Sequence, residues 1–277
     1  MKTGYIIYTQ FEMNRNKYFI EKLLSASDKF NIKLTLLIFE KIKIINEEDL
    51  ILCYEDKVLP VVDFVILRMM NYYLAKIFEK KGIKVYNSSE ISKIADNKYV
   101  TYLKIKEIGI PVMETFLDSD INEKKLFFPN VTKPIDSKGG DRVFFNKNIE
   151  EYKNNIKSYD DTHYIIQKVA SDIGYDLRVY VIGEKIIAPI LRISKDGFLS
   201  NFCRGGDAIL YDLNNEEKEI VNKIINNINF DYVGIDFLFD NGKMVLNEIE
   251  NVVGARMVYT KTDIDIAELF IEHIANT

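Results

Sequence analysis

Residues 233–250 read VGIDFLFDNGKMVLNEIE, two apolar runs on either side of an Asp240-Asn241-Gly242 turn. Asn-Gly between apolar runs is a strong hairpin signal, because both residues tolerate the positive φ angles that a tight turn needs. The pattern predicts two antiparallel strands, Val233 to Phe239 and Met244 to Ile249.

Three carboxylates interrupt these apolar strands: Asp236 in the first and Glu248 and Glu250 in the second. Side chains two positions apart on a strand share a face, so pairing could bring the two glutamates beside Asp236. Clustered carboxylates repel one another unless a cation lies among them, and Mg²⁺ prefers oxygen ligands together with substrate phosphates. The pattern indicates a metal site with these three ligands. The alternative is that they are solvated or form salt bridges with lysines.

The first ninety residues alternate strand and helix patterns, which predicts a small, mostly parallel α/β domain. The predicted strands are Tyr5 to Thr9, Leu34 to Phe39, Phe64 to Leu67 and Val85-Tyr86, and the predicted helices are Lys17 to Lys29 and Tyr72 to Lys81. One longer helix is then expected from about Ser89 to Ile108, because Gly109 and Pro111 end it.

The second half of the chain carries further strands and helices. The predicted strands are Val143 to Phe145, His163 to Val169, Leu177 to Ile182 and Lys185 to Leu191, and the predicted helices are Ile149 to Lys157, Asn214 to Asn227 and Asp263 to His273.

Composition narrows the class of protein. The 277 residues are 47% hydrophobic and 29% charged, which is typical of a globular chain. A net charge of −5 argues against nucleic acid as the main partner. No apolar run is long enough to span a membrane, and two cysteines with two histidines do not suggest structural zinc. We therefore expect a cytoplasmic protein with no nucleic-acid or membrane partner.

Two further features point to anions. Lys133 ends an apolar strand and is followed by a Ser137-Lys138-Gly139-Gly140 turn, whose backbone N–H groups can point at phosphate oxygens. Arginines, which bind carboxylates and phosphates through two parallel hydrogen bonds, recur at strand ends and in irregular segments of the second half. Each of these features alone is a weak signal.

Taken in order, the motifs resemble the ATP-grasp superfamily, specifically its ribosomal-protein glutamate ligase (RimK) branch. The resemblance rests on segments spread over most of the chain. They are Asp63 to Arg68, Gly82 to Ser88, Asp96-Asn97-Lys98, Gly109-Ile110-Pro111, Lys133-Pro134, Gln167, Asp176-Leu177-Arg178, Ser200 to Gly206, Gly234-Ile235-Asp236 and Glu248-Ile249-Glu250.

The resemblance implies an α/β (α+β ATP-grasp) fold. Residues 1–92 would form an N-terminal parallel α/β pre-ATP-grasp domain, and residues 93–277 would form two α+β subdomains that clasp ATP, with a lid at about 124–167. It implies an ATP-dependent carboxylate–amine ligase that works through an acyl phosphate, with ATP and Mg²⁺ (or Mn²⁺) as cofactors. Its partners would be a small carboxylate and an amine of an amino acid or peptide, and it could assemble as a homo-oligomer, a dimer or tetramer.

The resemblance also implies a role for individual residues. Nucleotide contacts would come from Lys98, Lys133, Ser137, Gly139, Gly140, Gln167, Lys168, Val169, Asp176, Ser200 and Asn201. Arg192 and Arg204 would stabilise the acyl phosphate. Arg68, Arg178, Gly205 and Arg256 would bind substrates, and Asp236, Glu248 and Glu250 would hold the metal.

The sequence departs from the family pattern at three places. Glu250 stands where the family has asparagine, Lys168 stands where it often has glutamate, and residues 251–256 replace the family's small-x-Pro-Gly loop. These departures leave two alternatives open: a nucleotide-binding module that does not ligate, and a ligase that modifies a precursor peptide or protein.

Overall fold

The computed structural model describes residues 1–46, 50–194 and 207–277. The chain forms two compact units, residues 1–92 together with 263–277, and residues 93–262.

The strands, numbered along the chain, have the following bounds. They are β1 (Lys2–Tyr8), β2 (Ile32–Ile38), β3 (Ile42–Asn46), β4 (Leu50–Tyr54), β5 (Lys57–Val58), β6 (Phe64–Leu67), β7 (Lys84–Tyr86), β8 (Thr115–Leu117), β9 (Asn130–Pro134), β10 (Phe144–Asn146), β11 (Tyr164–Lys168), β12 (Tyr175–Ile182), β13 (Lys185–Ile193), β14 (Asp207–Leu210), β15 (Tyr232–Asp240) and β16 (Lys243–Glu250).

The α-helices are numbered in the same way. They are α1 (Gln10–Arg15), α2 (Lys17–Lys29), α3 (Tyr72–Lys80), α4 (Ser89–Ala95), α5 (Lys98–Glu107), α6 (Ile149–Asn155), α7 (Asn215–Asn227), α8 (Arg256–Lys261) and α9 (Ile266–Asn276).

The first unit is built on a parallel sheet of order β2-β1-β6-β7, as the alternating pattern predicts. Its central strand β1 carries Ile6 and Ile7 with no exposed surface, because parallel strands are normally covered on both faces. A three-stranded antiparallel sheet, β3-β4-β5, was not predicted, because its short strands lack a clear alternation of apolar and polar residues.

The last helix groups with the first unit. Residues 263–277 were expected with the ATP-grasp part, but α9 belongs to the first unit. Ile266, Phe270 and Ile274 recur on one face of this helix and are buried, and α9 packs against α2. Its apolar face therefore belongs to the core of the first unit.

The second unit contains two antiparallel sheets. One has the order β10-β9-β11-β8, and the other has the order β14-β13-β12-β15-β16. The predicted hairpin joins β15 to β16, and Asn241 and Gly242 adopt φ angles of 53° and 72° in its turn. Positive φ at both positions is the geometry that favours Asn-Gly in tight hairpins.

The helix expected over Ser89 to Ile108 is two helices. It breaks at Asp96-Asn97, where the Asn97 side chain accepts hydrogen bonds from the backbone N–H groups of Tyr99 and Val100, both at 3.0 Å. Asparagine is a strong helix N-cap, so it starts α5 afresh and places Lys98 in the first helical position.

Within the part of the chain that the structure describes, no helix is long and apolar enough to cross a membrane.

Candidate active site

A cleft in the second unit brings most of the predicted nucleotide residues together. It encloses about 870 Å³, counting the part open to solvent. Its walls come from the ends of both sheets and from the turn after β9. Residues that line it are Lys98, Val131, Lys133, Ser137, Gly140, Val143, Gln167, Lys168, Val169, Ala170, Asp172, Ile173, Gly174, Tyr175, Asp176, Arg192, Leu238, Asn247 and Glu248.

Apolar side chains contribute to the walls of the cleft, and we call these walls the apolar slot: Val131, Val143, Val169, Ala170 and Leu238. An apolar slot of this kind suits a planar base, which gains from burial on both faces.

The strand end at Gln167 and Lys168 is anchored beside this slot. Gln167 Nε2 donates to Thr115 Oγ1 at 3.0 Å, and the Lys168 backbone N–H donates to the Glu114 carbonyl at 2.9 Å. These two hydrogen bonds anchor Gln167 and Lys168 at the cleft wall.

The hairpin turn at residues 240–242 holds the segment that follows the hinge. Ser171 N–H donates to Asp240 Oδ1 at 3.0 Å, and its hydroxyl accepts from Asn241 N–H at 2.6 Å. Asp172 Oδ2 accepts from Gly242 N–H at 2.9 Å. These reciprocal bonds fix the path of residues 171–172 along the cleft.

Two buried amines also line the cleft. Lys133 Nζ donates to Asn247 Oδ1 at 2.8 Å, and Lys98 Nζ lies 3.6 Å from Glu248 Oε2. Burial lowers the pKa of Lys133 to about 8, although Glu248 opposes the shift, and neighbouring Lys98 adds to it. Two ammonium groups with one adjacent carboxylate favour a bound anion such as a polyphosphate.

The glycine turn lies beside Lys98. The Lys98 ammonium donates to the backbone carbonyl of Ser137, and the Lys98 backbone N–H donates to the Ile135 carbonyl at 2.8 Å. Gly139 and Gly140 adopt φ angles of 68° and 74°, which non-glycine residues rarely tolerate. Ser137 and Gly140 line the cleft, whereas Gly139 lies in the same turn but not on its wall.

Arginines and carboxylates alternate on one face of the five-stranded sheet. Antiparallel pairing sets Asp176 opposite Arg192, Arg178 opposite Asp236 and Gly234 opposite Glu250. We call the five charged residues (Asp176, Arg178, Arg192, Asp236 and Glu250) the arginine–carboxylate lattice.

Asp236 is the centre of this lattice. Arg178 donates to it through Nε at 2.7 Å and Nη2 at 2.6 Å, and Arg192 donates through Nη2 at 2.7 Å. Burial alone would raise the pKa of Asp236, but the two guanidinium groups outweigh burial and lower it. Arg192 also donates through Nε to Asp176 at 2.6 Å. Burial raises the pKa of Asp176, against the effect of that arginine.

The three predicted metal ligands have different surroundings. Both oxygens of Asp236 accept hydrogen bonds from arginines, and Glu250 faces Arg178, whereas Glu248 lines the cleft. Over residues 1–46, 50–194 and 207–277, no three His, Cys, Asp or Glu side chains are grouped so that they could hold a metal ion. Glu248 has the oxygen chemistry and the access that suit Mg²⁺ beside phosphates. The assignment of Asp236 and Glu250 as ligands stays a prediction.

A β-bulge explains a cleft residue that the sequence did not reveal. Asp236 pairs with Glu248 but Phe237 pairs with Leu246, so Asn247 is an extra residue in β16. The bulge lets the consecutive residues Asn247 and Glu248 both line the cleft. A simple period of two would have placed them on opposite faces.

Asp96 is a second residue whose environment was not foreseen. Asn251 Nδ2 donates to Asp96 Oδ1 at 3.3 Å. Burial raises the pKa of Asp96 to about 7, although Asn251, Lys138 and Lys98 oppose the shift. The only sequence signal was its place in the Asp96-Asn97-Lys98 motif.

The remaining predicted residues lie elsewhere. Arg68 is buried in the first unit at the end of β6, where its Nε lies 3.4 Å from the Tyr8 hydroxyl. Arg256 begins α8 in the second unit and does not line the cleft. Ser200, Asn201, Arg204 and Gly205 lie outside the described residues.

Known proteins share this sequence pattern and fold. A family model described as a RimK-like ATP-grasp domain matches residues 75–274. The probable alpha-L-glutamate ligase of Haemophilus influenzae (strain PittEE) is 25% identical over 206 residues, which cover 71% of this chain and 69% of that protein. The Glutamate--LysW ligase ArgX of Sulfurisphaera tokodaii is 25% identical over 236 residues, covering 79% of this chain and 84% of that protein.

Among solved structures, the ATP-grasp ligase PsnB complexed with a phosphomimetic variant of its minimal precursor, Mg and ADP superposes with a TM-score of 0.71. The two chains are 13% identical, and the match covers 100% of this chain and 99% of PsnB. This likeness confirms the predicted fold class. Since the family model spans most of the sequence, the chain belongs to the RimK-like ATP-grasp family.

Proposed function

We infer that this chain is an ATP-dependent carboxylate–amine ligase that forms an acyl phosphate and releases ADP and phosphate. The observation that carries this proposal is the pair of buried amines, Lys98 and Lys133, beside a glycine turn in one cleft. Acyl-phosphate chemistry needs mainly positioning and charge neutralisation, and this cleft offers both. The two relatives named above are both called glutamate ligases, which supports the same class of reaction.

The nucleotide lies along the cleft in this proposal. The adenine occupies the apolar slot and meets the backbone of Gln167, Lys168 and Val169, and Asp176 lies further along the wall. The phosphates reach Lys98, Lys133 and the turn that contains Ser137, Gly139 and Gly140. Glu248 would hold Mg²⁺, with Asp236 as a further ligand once one of its oxygens leaves its arginine partner. The bound ion would supply neutralisation of the phosphate charge.

The reaction has two steps. A carboxylate oxygen of the donor attacks the γ-phosphorus, and the bond from that phosphorus to the β,γ-bridging oxygen breaks, so ADP leaves. The acceptor nitrogen then attacks the acyl carbon, the bond from that carbon to the phosphoryl oxygen breaks, and phosphate leaves as the nitrogen loses a proton. Lys98 and Lys133 stabilise the negative charge on the phosphates in the first step, and Arg192 stabilises the acyl phosphate, with Arg204 in the same role.

The donor is a small carboxylate and the acceptor is the amine of an amino acid or peptide. Arg178 and Arg256 are proposed to bind carboxylates of these substrates, together with Gly205. Arg68 is proposed as a carboxylate ligand in the first unit. Guanidinium groups suit this role because they bind carboxylates with two parallel hydrogen bonds.

The test is release of ADP and phosphate from Mg-ATP in the presence of pooled amino acids and small dicarboxylates. Stimulation by one pool, abolished by Lys133→Met, supports the ligase and narrows its substrates. ADP binding without stimulation by any pool contradicts a free small-molecule acceptor. That result favours a peptide or protein acceptor, or a module that binds the nucleotide without catalysis. Release of AMP and pyrophosphate contradicts the acyl-phosphate mechanism.

A further inference from the structure

The side chain of Arg178 lies over Gly234, in space that the side chain of a larger residue would occupy. Its partner on β15 is Asp236, and Gly234, which pairs with Tyr180, lies two residues before Asp236 on that strand. A Cβ atom added to Gly234 would lie 3.3 Å from Arg178 Cδ and 3.4 Å from Arg178 Nε. The arginine stem therefore lies over Gly234, and Glu250 is the residue paired with Gly234 on the far strand.

In this position the guanidinium group of Arg178 contacts two carboxylates, those of Asp236 and Glu250. Nε and Nη2 donate to Asp236, which leaves Nη1 as the remaining nitrogen. Nη1 lies 2.5 Å from Glu250 Oε2. The contact is an ion pair, and none of the described residues donates a hydrogen bond of normal geometry to Glu250 Oε2.

Glu250 and Glu248 differ in what they face, although they lie two positions apart on one strand. Glu248 lines the cleft and lies 3.6 Å from the Lys98 ammonium. Glu250 does not line the cleft and faces Arg178. Their side chains are similarly exposed, 26% and 24%, so the difference is one of direction and partner rather than of depth.

We propose that Glu250 is the counter-ion that positions Arg178, and that it is not a ligand of the metal. Asp236 accepts from two arginines, so one carboxylate cannot neutralise both. Glu250 supplies the second negative charge next to Arg178, and Asp176 does the same next to Arg192. With its Nη1 edge held in this way, Arg178 has one orientation on the sheet face.

This role rests on the proposed function, because Arg178 is placed there as a substrate-binding residue. A positioned guanidinium loses less freedom when it binds an oxyanion. Glu250 then acts through Arg178, whereas Glu248 would hold the metal.

The first test measures Mn²⁺ binding to the ADP complex by electron paramagnetic resonance, with Glu250→Gln and the matched control Glu248→Gln. We expect Glu250→Gln to keep the wild-type Mn²⁺ affinity within about twofold, and Glu248→Gln to weaken it by about tenfold or more, as loss of a ligand does. Equal weakening by both variants would overturn the proposal. Unchanged affinity in both variants would contradict the metal site of the proposed function. The second test would then decide whether Glu250 positions Arg178.

The second test follows the Arg178 Nε–Hε signal in a ¹H–¹⁵N spectrum, assigned by its absence in Arg178→Lys. We expect Glu250→Gln to shift this signal and speed its exchange with solvent, because one of its two anionic partners is lost. Glu248→Gln should leave it unchanged, and Glu250→Asp, which keeps the charge, should restore part of the wild-type behaviour. A signal that is the same in wild type and Glu250→Gln would overturn the proposal, whatever the metal affinity.

Discussion

Lys133 is a residue whose charge depends on pH near the working range. Its ammonium is buried, and burial lowers its pKa to about 8, below the ordinary value for lysine. The charged form is the one that binds phosphate. In the free protein this form dominates below pH 8 and is lost as the pH rises above it.

We predict that ADP affinity falls as the pH rises through 8, by up to about tenfold per unit when binding requires the protonated amine. Calorimetric titration from pH 6.5 to 9.5 measures this. Lys133→Arg is the matched control, because a guanidinium stays charged over the whole range. The same pH profile in both proteins would show that another group causes the change.

Gly234 is a residue whose missing side chain matters. A Cβ atom there would lie 2.7 Å from Val253 Cγ2 as well as against Arg178. We predict that Gly234→Ala lowers the free energy of unfolding by about 1–3 kcal/mol, the usual cost of overpacking, and weakens turnover by displacing Arg178.

The control for this substitution is Gly254→Ala. A Cβ atom at Gly254 meets nothing within 4 Å. Urea unfolding should therefore give Gly254→Ala a free energy close to that of wild type. If Gly234→Ala is equally harmless, Arg178 does not need the path over Gly234.

At the residue scale, the sequence predicted which side chains line the cleft better than which residues they contact. Lys98, Lys133 and Glu248 were expected at the site and all line the cleft. The pairing of Arg178 with Glu250 was not foreseen, because it depends on the register of three strands rather than on local pattern. The sequence did not predict that Asn247 lines the cleft. A β-bulge at this residue interrupts the alternation of side chains on which strand predictions depend.

Among the helices, α5 shows how a cap can matter to a binding site. Asn97 caps two backbone N–H groups, and Lys98 is the next residue. We predict that Asn97→Ala costs about 0.5–2 kcal/mol of stability and also weakens ADP binding, because the first turn carries the Lys98 amine.

Asn214→Ala is the matched variant for this prediction. Asn214 caps α7 with a reciprocal capping box to Glu217, and neither residue lines the cleft. In thermal unfolding, Asn214→Ala should lose about as much stability as Asn97→Ala. Its ADP affinity, measured by calorimetry, should stay near that of wild type. Equal losses of affinity in both variants would mean that stability alone explains the effect.

Helices with a clear apolar face and a definite stop were predicted closely. The helix predicted over Lys17 to Lys29 has those bounds in the structure, and the one predicted from Tyr72 ends one residue early, at Lys80. The break between α4 and α5 was not predicted, because apolar residues continue at helical spacing across it. Its signal was a single asparagine, and a cap is seen only once backbone geometry is known.

For the whole molecule, α9 decides where the domain boundary lies. Phe270 is buried in the first unit, 6.3 Å between ring centroids from Tyr86. We predict that Phe270→Ala destabilises the first unit by about 3–5 kcal/mol and leaves ADP affinity within about twofold of wild type.

Hydrogen exchange read out by mass spectrometry checks this prediction. Faster exchange should appear in residues 1–92 and 263–277. Faster exchange in residues 93–262, together with weaker ADP binding, would instead show that α9 stabilises the second unit. Sequence periodicity predicted this helix but not its unit, because an apolar face does not identify the surface that it covers.

The grouping of α9 with residues 1–92 has a consequence for biosynthesis. The ribosome completes residues 93–262 before it makes α9, so the second unit has all of its own residues while the first still lacks part of its core. Until α9 has been made, the nascent first unit exposes the apolar surface of α2 that α9 covers. Chaperones recognise exposed apolar surface of this kind. Slow translation through 263–277 would prolong this exposed state.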